Sequence, residues 1–291
     1  MNIIGHQKVL KILEKTIEKN AVAGAYLFSG PEHTGKFTVA FDFAKRLVGE
    51  TEGLNTEIFI AEPEVVEKNK ARKKLDIKIE KIKELQRYLS LSSTGKYRVA
   101  IIDDANRMNK NAQNALLKTL EEAEAGITVI MVSQDDRKIL PTIVSRSQKI
   151  KFGTVGREAL EEHIPEGQEN KESILSWSLG RPGFLMNLVN NKEDVAFRQE
   201  SFLELKNLFD QNSADKFILA EKMSKDGEAA KQKINLWIIF LRDRLFFRNY
   251  RPDIPSQKIF NLIEAAEKSL ALIRETNANV RLILENLFLE F

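Results

Sequence analysis

Cysteine is missing from all 291 residues. Its absence rules out disulfides and thiolate metal sites, and makes a cytoplasmic setting the expectation. Histidine is scarce too. His6, His33 and His163 stand far apart, without the close spacing of a metal-ligand set, so no metal site is expected. No apolar run approaches the ~18 residues of a membrane span. The opening MNIIGHQKVLKILEK is charged and lacks the apolar core of a secretory signal. Neither sign of charge is in large excess. The 45 Lys and Arg against 42 Asp and Glu leave +3, a balance that argues against a dedicated nucleic-acid domain. There is no internal repeat, and nothing points to a homo-oligomer.

What is present is a globular composition, 43% hydrophobic and 30% charged, long enough for one large or two to three smaller domains. Val9, Ile12, Leu13 and Ile17 make a helical stripe near the start. AYLFSG, residues 25–30, is a short apolar run that feeds into GPEHTGKF, residues 30–37. Gly30, Gly35 and Lys36 suit a loop whose amides and ammonium surround phosphate, and Phe37 stands where such loops carry a metal-binding Ser or Thr. A tight turn with a solvated Lys36 is the plainer reading of the glycines. The strand before and the helix after them favour the phosphate loop.

A helix is expected over 76–91, broken by SSTG. YRVAIIDDA, residues 97–105, reads as a second buried strand ending in Asp103 and Asp104, where carboxylates face a bound nucleotide and its metal. NKNAQNALLKTLEEA supplies another helix, and GITVIMVSQ, residues 126–134, a third strand. Strands alternating with helices predict an α/β domain with a parallel sheet. The basic run KNKARKK, residues 68–74, reads as a solvated surface connection, or as a patch steering phosphate backbone or an acidic partner. After Pro141 the text turns helical. LGRPGFLMNL, residues 179–188, starts a helix beside Arg181, and from Asp194 onward only helical periodicity remains.

These blocks resemble the bacterial DNA polymerase III clamp-loader subunits of the AAA+ class, the delta-prime type above all. IIGHQKVLKIL and AYLFSGPEHTGK match the opening box and Walker A, and VAIIDDANRMNKNAQNALLKTLEEA matches Walker B and its following helix. VSQDDRKILPTIVSRSQ matches sensor 1 and the Ser-Arg-Cys motif, with Ser147 at the Cys position, and LGRPG matches sensor 2. The resemblance implies an AAA+ P-loop α/β domain over 1–153, a helical lid over 154–192 and an all-helical collar over 193–291. It puts Lys36 on the Walker A lysine and Asp103 and Asp104 on the Walker B carboxylates, with Asp104 where active relatives usually have Glu. Ser133 falls on sensor 1, Arg181 on sensor 2, and Arg146 on the arginine finger that reaches a neighbouring subunit's ATP site.

Three departures bear on activity. Phe37 removes a metal-binding hydroxyl, Asp104 is shorter than Glu, and the family's four-cysteine zinc module has no counterpart. The region from Thr51 to Asp76 is therefore expected to hold without zinc or to be loosely ordered, pairing with the sheet or forming a short hairpin. The resemblance implies a non-hydrolysing subunit that assists ATP-dependent loading of the sliding clamp on primed DNA. No cofactor is required, and the loop leaves room for weakly bound ATP or ADP. The implied partners are the gamma/tau and delta subunits in a hetero-oligomer, with the clamp and primer-template DNA in the assembled complex. A catalytic gamma/tau-type subunit is the alternative, against which Phe37 and the shorter chain are weighed. An independent P-loop DNA-repair ATPase and a scaffold outside any clamp loader are the others.

Overall fold

The computed structural model describes residues 3–49, 58–68, 71–91, 96–122, 124–242, 253–275 and 278–291. The chain divides into two compact units, Met1–Lys171 with Ser178–Asn187 and Glu172–Trp177 with Leu188–Phe291. The first unit contains α1 (Gln7–Glu18), β1 (Ala25–Ser29), α2 (Lys36–Val48), β2 (Ile58–Ala61), a hairpin of β3 (Val65–Lys68) and β4 (Ala71–Lys74), and α3 (Ile79–Leu89). It continues through β5 (Arg98–Ile102), α4 (Lys110–Glu121), β6 (Ile127–Ser133), α5 (Pro141–Ser145), β7 (Gln148–Lys151) and α6 (Arg157–Glu161).

The main sheet has the order β2-β5-β6-β1-β7, and every pairing in it is parallel. Side chains alternate between its two faces. Tyr26, Phe28, Val99, Ile101, Ile130 and Val132 join α1 and α2 in one apolar cluster. Leu27, Ala100, Ile102, Val129 and Met131 join α3, α4 and α5 in the other. Because helices cover both faces, β1, β5 and β6 read in sequence as unbroken apolar runs. The chain leaves β1 for the far edge at β2, steps back through β5 and β6, and passes β1 to reach β7. That reversal opens a crevice at the carboxyl ends of β1 and β6, the usual ligand position in a sheet of this kind.

The two edge strands are the part that apolar runs do not announce. In β7, Gln148, Lys149 and Lys151 are exposed and Ile150 alone is buried. The segment expected to pair with the sheet or to form a hairpin does both, through β2 and through β3–β4; residues 51–57 lie outside the described ones. The stripe expected on α1 is narrower than its sequence suggests. Val9 and Leu13 are buried, whereas Ile12 is 48% exposed. The expected helix break at 92–95 lies outside the described residues, and α3 ends before it.

The chain passes between units within α7 (Lys171–Trp177) and α8 (Pro182–Asn190). The second unit then consists of α9 (Lys192–Leu208), α10 (Ser213–Ser224), α11 (Gly227–Arg242), α12 (Ser256–Glu275) and α13 (Val280–Leu289), all helical among the described residues. Its core holds Ile234, Trp237, Leu241, Ile259, Leu262, Ala266, Leu284 and Phe288. Trp237 is fully buried, and its indole N–H donates to the Ser201 carbonyl at 2.7 Å. Among the described residues, no helix is long and apolar enough to cross a membrane.

Candidate functional site

The register of β1 and β6 places Ser29 opposite Ser133, and the Gly30 N–H donates to the Ser133 carbonyl at 3.2 Å. The loop 30–35 thus leaves the sheet at its switch point. A Cβ on Gly30 would lie 2.1 Å from the Phe152 carbonyl oxygen, so only glycine passes the end of β7. Gly35 has free space around it but a φ of +86°, and it turns the chain into α2.

Lys36 opens α2 and is 6% exposed, and its Nζ donates to the Pro31 carbonyl at 2.5 Å. Burial lowers its pKa; Asp103, Glu32 and Asp104 oppose that shift, and Arg181 adds to it. The buried Thr34 hydroxyl donates to the same Pro31 carbonyl at 2.9 Å.

Two elements brace the loop. His6 Nε2 lies 2.7 Å from the Thr34 carbonyl and donates to it, since a carbonyl only accepts. Burial holds the His6 pKa below its ordinary value; the Thr34 hydrogen bond works against that, and Lys36 adds to it. From α8, the Gly183 N–H donates to the His33 carbonyl at 2.8 Å, and the Phe184 ring stacks on His33 at 5.7 Å. Arg181, just before α8, is thereby held beside the loop. Its Nε is buried with no hydrogen-bond partner among the described residues.

The carboxylates follow β5. The Asp103 N–H donates to the Ala61 carbonyl at 2.8 Å, and its Oδ1 accepts from the Asp104 N–H at 3.0 Å. Burial, with Asp104 second, raises the Asp103 pKa. Asp104 is buried in a left-handed conformation, φ 48°. Its Oδ2 accepts from Lys74 Nζ at 2.5 Å and lies 3.9 Å from Arg107 Nε. The hydrogen bond to Asp104 is the main cause that raises the Lys74 pKa. Sequence reasoning did not single out Lys74, which ends the basic run 68–74. The only signal was that run itself, and nothing local ties it to a carboxylate thirty residues on.

Ser133 is fully buried; its hydroxyl donates to Asn106 Oδ1 at 3.2 Å and accepts from the Asp135 N–H at 3.1 Å. The Phe37 ring stacks on Phe41, with centroids 6.1 Å apart and planes 9° from parallel, at the margin of the α1–α2 cluster. Arg146 is exposed at the end of α5. Its Nη2 lies 2.8 Å from Glu121 Oε1, and its Nη1 donates to the Thr142 carbonyl at 3.2 Å. Lys36, Asp103, Asp104 and Arg181 form one electrostatic group, whereas Arg146 meets Glu121 of α4 and Thr142 of α5.

This arrangement fits an anion. The amino end of α2, the Lys36 ammonium and the orphaned Arg181 Nε all favour negative charge at the loop. The donors for a divalent cation are few: Phe37 offers no oxygen, and Lys74 already holds Asp104 Oδ2.

The family described as "DNA polymerase III, delta subunit" matches residues 5–156. The DNA polymerase III subunit tau of Bacillus subtilis is 24% identical over 95% of this chain and 58% of its own. The delta-prime subunit of the same organism is 30% identical over 55% of this chain and 51% of its own. The chain thus spans little more than half the length of these relatives. A solved structure of a DNA polymerase III gamma subunit-related protein from Thermotoga maritima superposes with a TM-score of 0.54 at 16% identity, covering 95% of this chain and 97% of that one. That likeness is one of fold.

Proposed function

This chain belongs to the DNA polymerase III delta subunit family, the AAA+ clamp-loader subunits of bacteria, and from that premise we propose that it is a delta-prime-type member that does not hydrolyse ATP. In this reading it donates Arg146 to a neighbouring subunit's site. The carrying observation is the state of Asp104, whose outward oxygen is hydrogen-bonded to Lys74. A carboxylate so held is not free to orient an attacking water or to bind a metal. Phe37, stacked on Phe41, supports the same reading. Arg146 is supported by its exposure at the end of α5, where a guanidinium released from Glu121 can offset charge on a phosphoryl group in transfer.

Residues 154–192 serve as the lid in this proposal and 193–291 as the collar. The exposed Leu203, Phe217, Ile218, Leu282 and Leu289 of the second unit suit an assembly surface. The partners are gamma/tau and delta subunits, with the sliding clamp and primer-template DNA in the full complex. A catalytic gamma/tau-type role is the second reading. The tau alignment over 95% of the chain favours it, and Phe37 with the Lys74–Asp104 pair opposes it. Phosphate release by the protein alone separates the two. No turnover is expected above background, and about one event per second would contradict the proposal.

A further inference from the structure

Building on the reading of residues 30–37 as a phosphate loop, we infer that the loop takes a nucleoside di- or triphosphate free of divalent metal, with the Lys74 ammonium offsetting the carboxylates where a metal otherwise would. Three carboxylates, Glu32, Asp103 and Asp104, act electrostatically on Lys36. Left uncompensated, they repel any phosphate chain brought to the loop. A bound Mg²⁺ ordinarily removes that repulsion. Here the same three carboxylates act on Lys74, which is hydrogen-bonded to Asp104.

Lys74 is anchored by its surroundings. It pairs with Val65 across the hairpin, and the next residue, Leu75, donates its N–H to the Glu64 carbonyl at 2.8 Å. Arg107 Nη1 donates to the Lys74 carbonyl at 3.1 Å. The Ile77 N–H donates to the Arg107 carbonyl at 2.9 Å, and the Asn109 N–H to the Ile77 carbonyl at 3.1 Å. These bonds tie the exit of the hairpin to the segment just after Asp104, so the backbone that carries Lys74 is fixed beside that carboxylate. The Arg181 Nε without a partner supplies a further positive group at the loop.

The test is binding of ADP and ATP to the full chain, by calorimetry, in excess EDTA and in excess Mg²⁺. Wild-type affinity in EDTA is expected to equal or exceed that in Mg²⁺. Lys74→Met is expected to weaken metal-free binding by on the order of tenfold, with Mg²⁺ restoring part of the loss. Lys74→Arg, which keeps the charge, is expected to retain the wild-type pattern, and thermal unfolding checks that each variant is folded. If Lys74→Met does not fold, the wild-type comparison and Lys74→Arg decide. Wild-type affinity that rises tenfold or so with Mg²⁺ would overturn the inference, as would Lys74→Met binding like wild type in EDTA. Absence of nucleotide binding under both conditions would overturn the phosphate-loop reading as well. Binding that depends on Mg²⁺ would overturn the inference and leave the phosphate-loop reading standing.

Discussion

Replacing Gln113 by Leu should loosen the support of the helix that carries Arg146. Gln113 is buried on α4, and its amide makes three hydrogen bonds to backbone. Nε2 donates to the Met108 and Lys138 carbonyls at 3.0 Å each, and Oε1 accepts from the Leu140 N–H at 2.7 Å. Leu140 caps the start of α5, and Arg146 caps its end. Leucine keeps nearly the same volume, so no large cavity opens and the loss is one of hydrogen bonding. The stranded Leu140 N–H costs about 1–3 kcal/mol, and each carbonyl deprived of its partner adds roughly 0.5 kcal/mol, for a total of about 2–4 kcal/mol. With a urea dependence of about 2–3 kcal/mol per molar, the unfolding midpoint should fall by about 1 M. Circular dichroism against urea, read on the transition of the α/β unit, measures the shift. A midpoint within about 0.2 M of wild type would refute the reasoning.

Phe37→Thr restores a hydroxyl to the loop but removes the stack on Phe41, and should cost about 1–2 kcal/mol of stability. It should yield no ATPase, because Asp104 stays on Lys74; phosphate release above the wild-type background would contradict this. The depressed pKa of His6 means that the folded state disfavours its charged form. The stability tied to that neutral imidazole is present above the ordinary value of 6.5 and lost as pH falls from 6.5 through the lower folded value. His6→Ala should flatten that part of the stability–pH profile measured by thermal unfolding, and an unchanged slope would argue against the burial that lowers the His6 pKa.

The α/β core was legible in the sequence because strands covered on both faces spell themselves out as apolar runs. AYLFS, RVAII and ITVIMVS needed no partner to be read as strands, and Asp103 follows its strand as expected. The edge strands were not legible in that way. QKIK buries only Ile150, and IFIA is too short to separate from a loop by periodicity. The loop residues Gly30, Gly35 and Lys36 were visible through their spacing. Their bracing by His6 and Gly183 was not, because those contacts span long stretches of chain. The same holds for Lys74. Composition showed a basic run, and only the folded hairpin brings its last lysine to Asp104. Ser133 was placed at sensor 1 by the family resemblance, while its use by Asn106 and Asp135 is a tertiary fact.

The central claim is that Arg146 works in a neighbour's site and not in its own. The direct measurement is DNA-stimulated ATPase of a reconstituted clamp loader containing wild-type or Arg146→Ala protein. The substitution removes an exposed ion pair with Glu121 and an exposed hydrogen bond to the Thr142 carbonyl, so the isolated variant should nearly keep its urea midpoint and still assemble. The ATPase of the complex should fall by an amount approaching the ~10³-fold typical of arginine fingers, reduced by whatever other sites contribute. Assembly at wild-type affinity with ATPase and clamp loading unchanged would contradict the account.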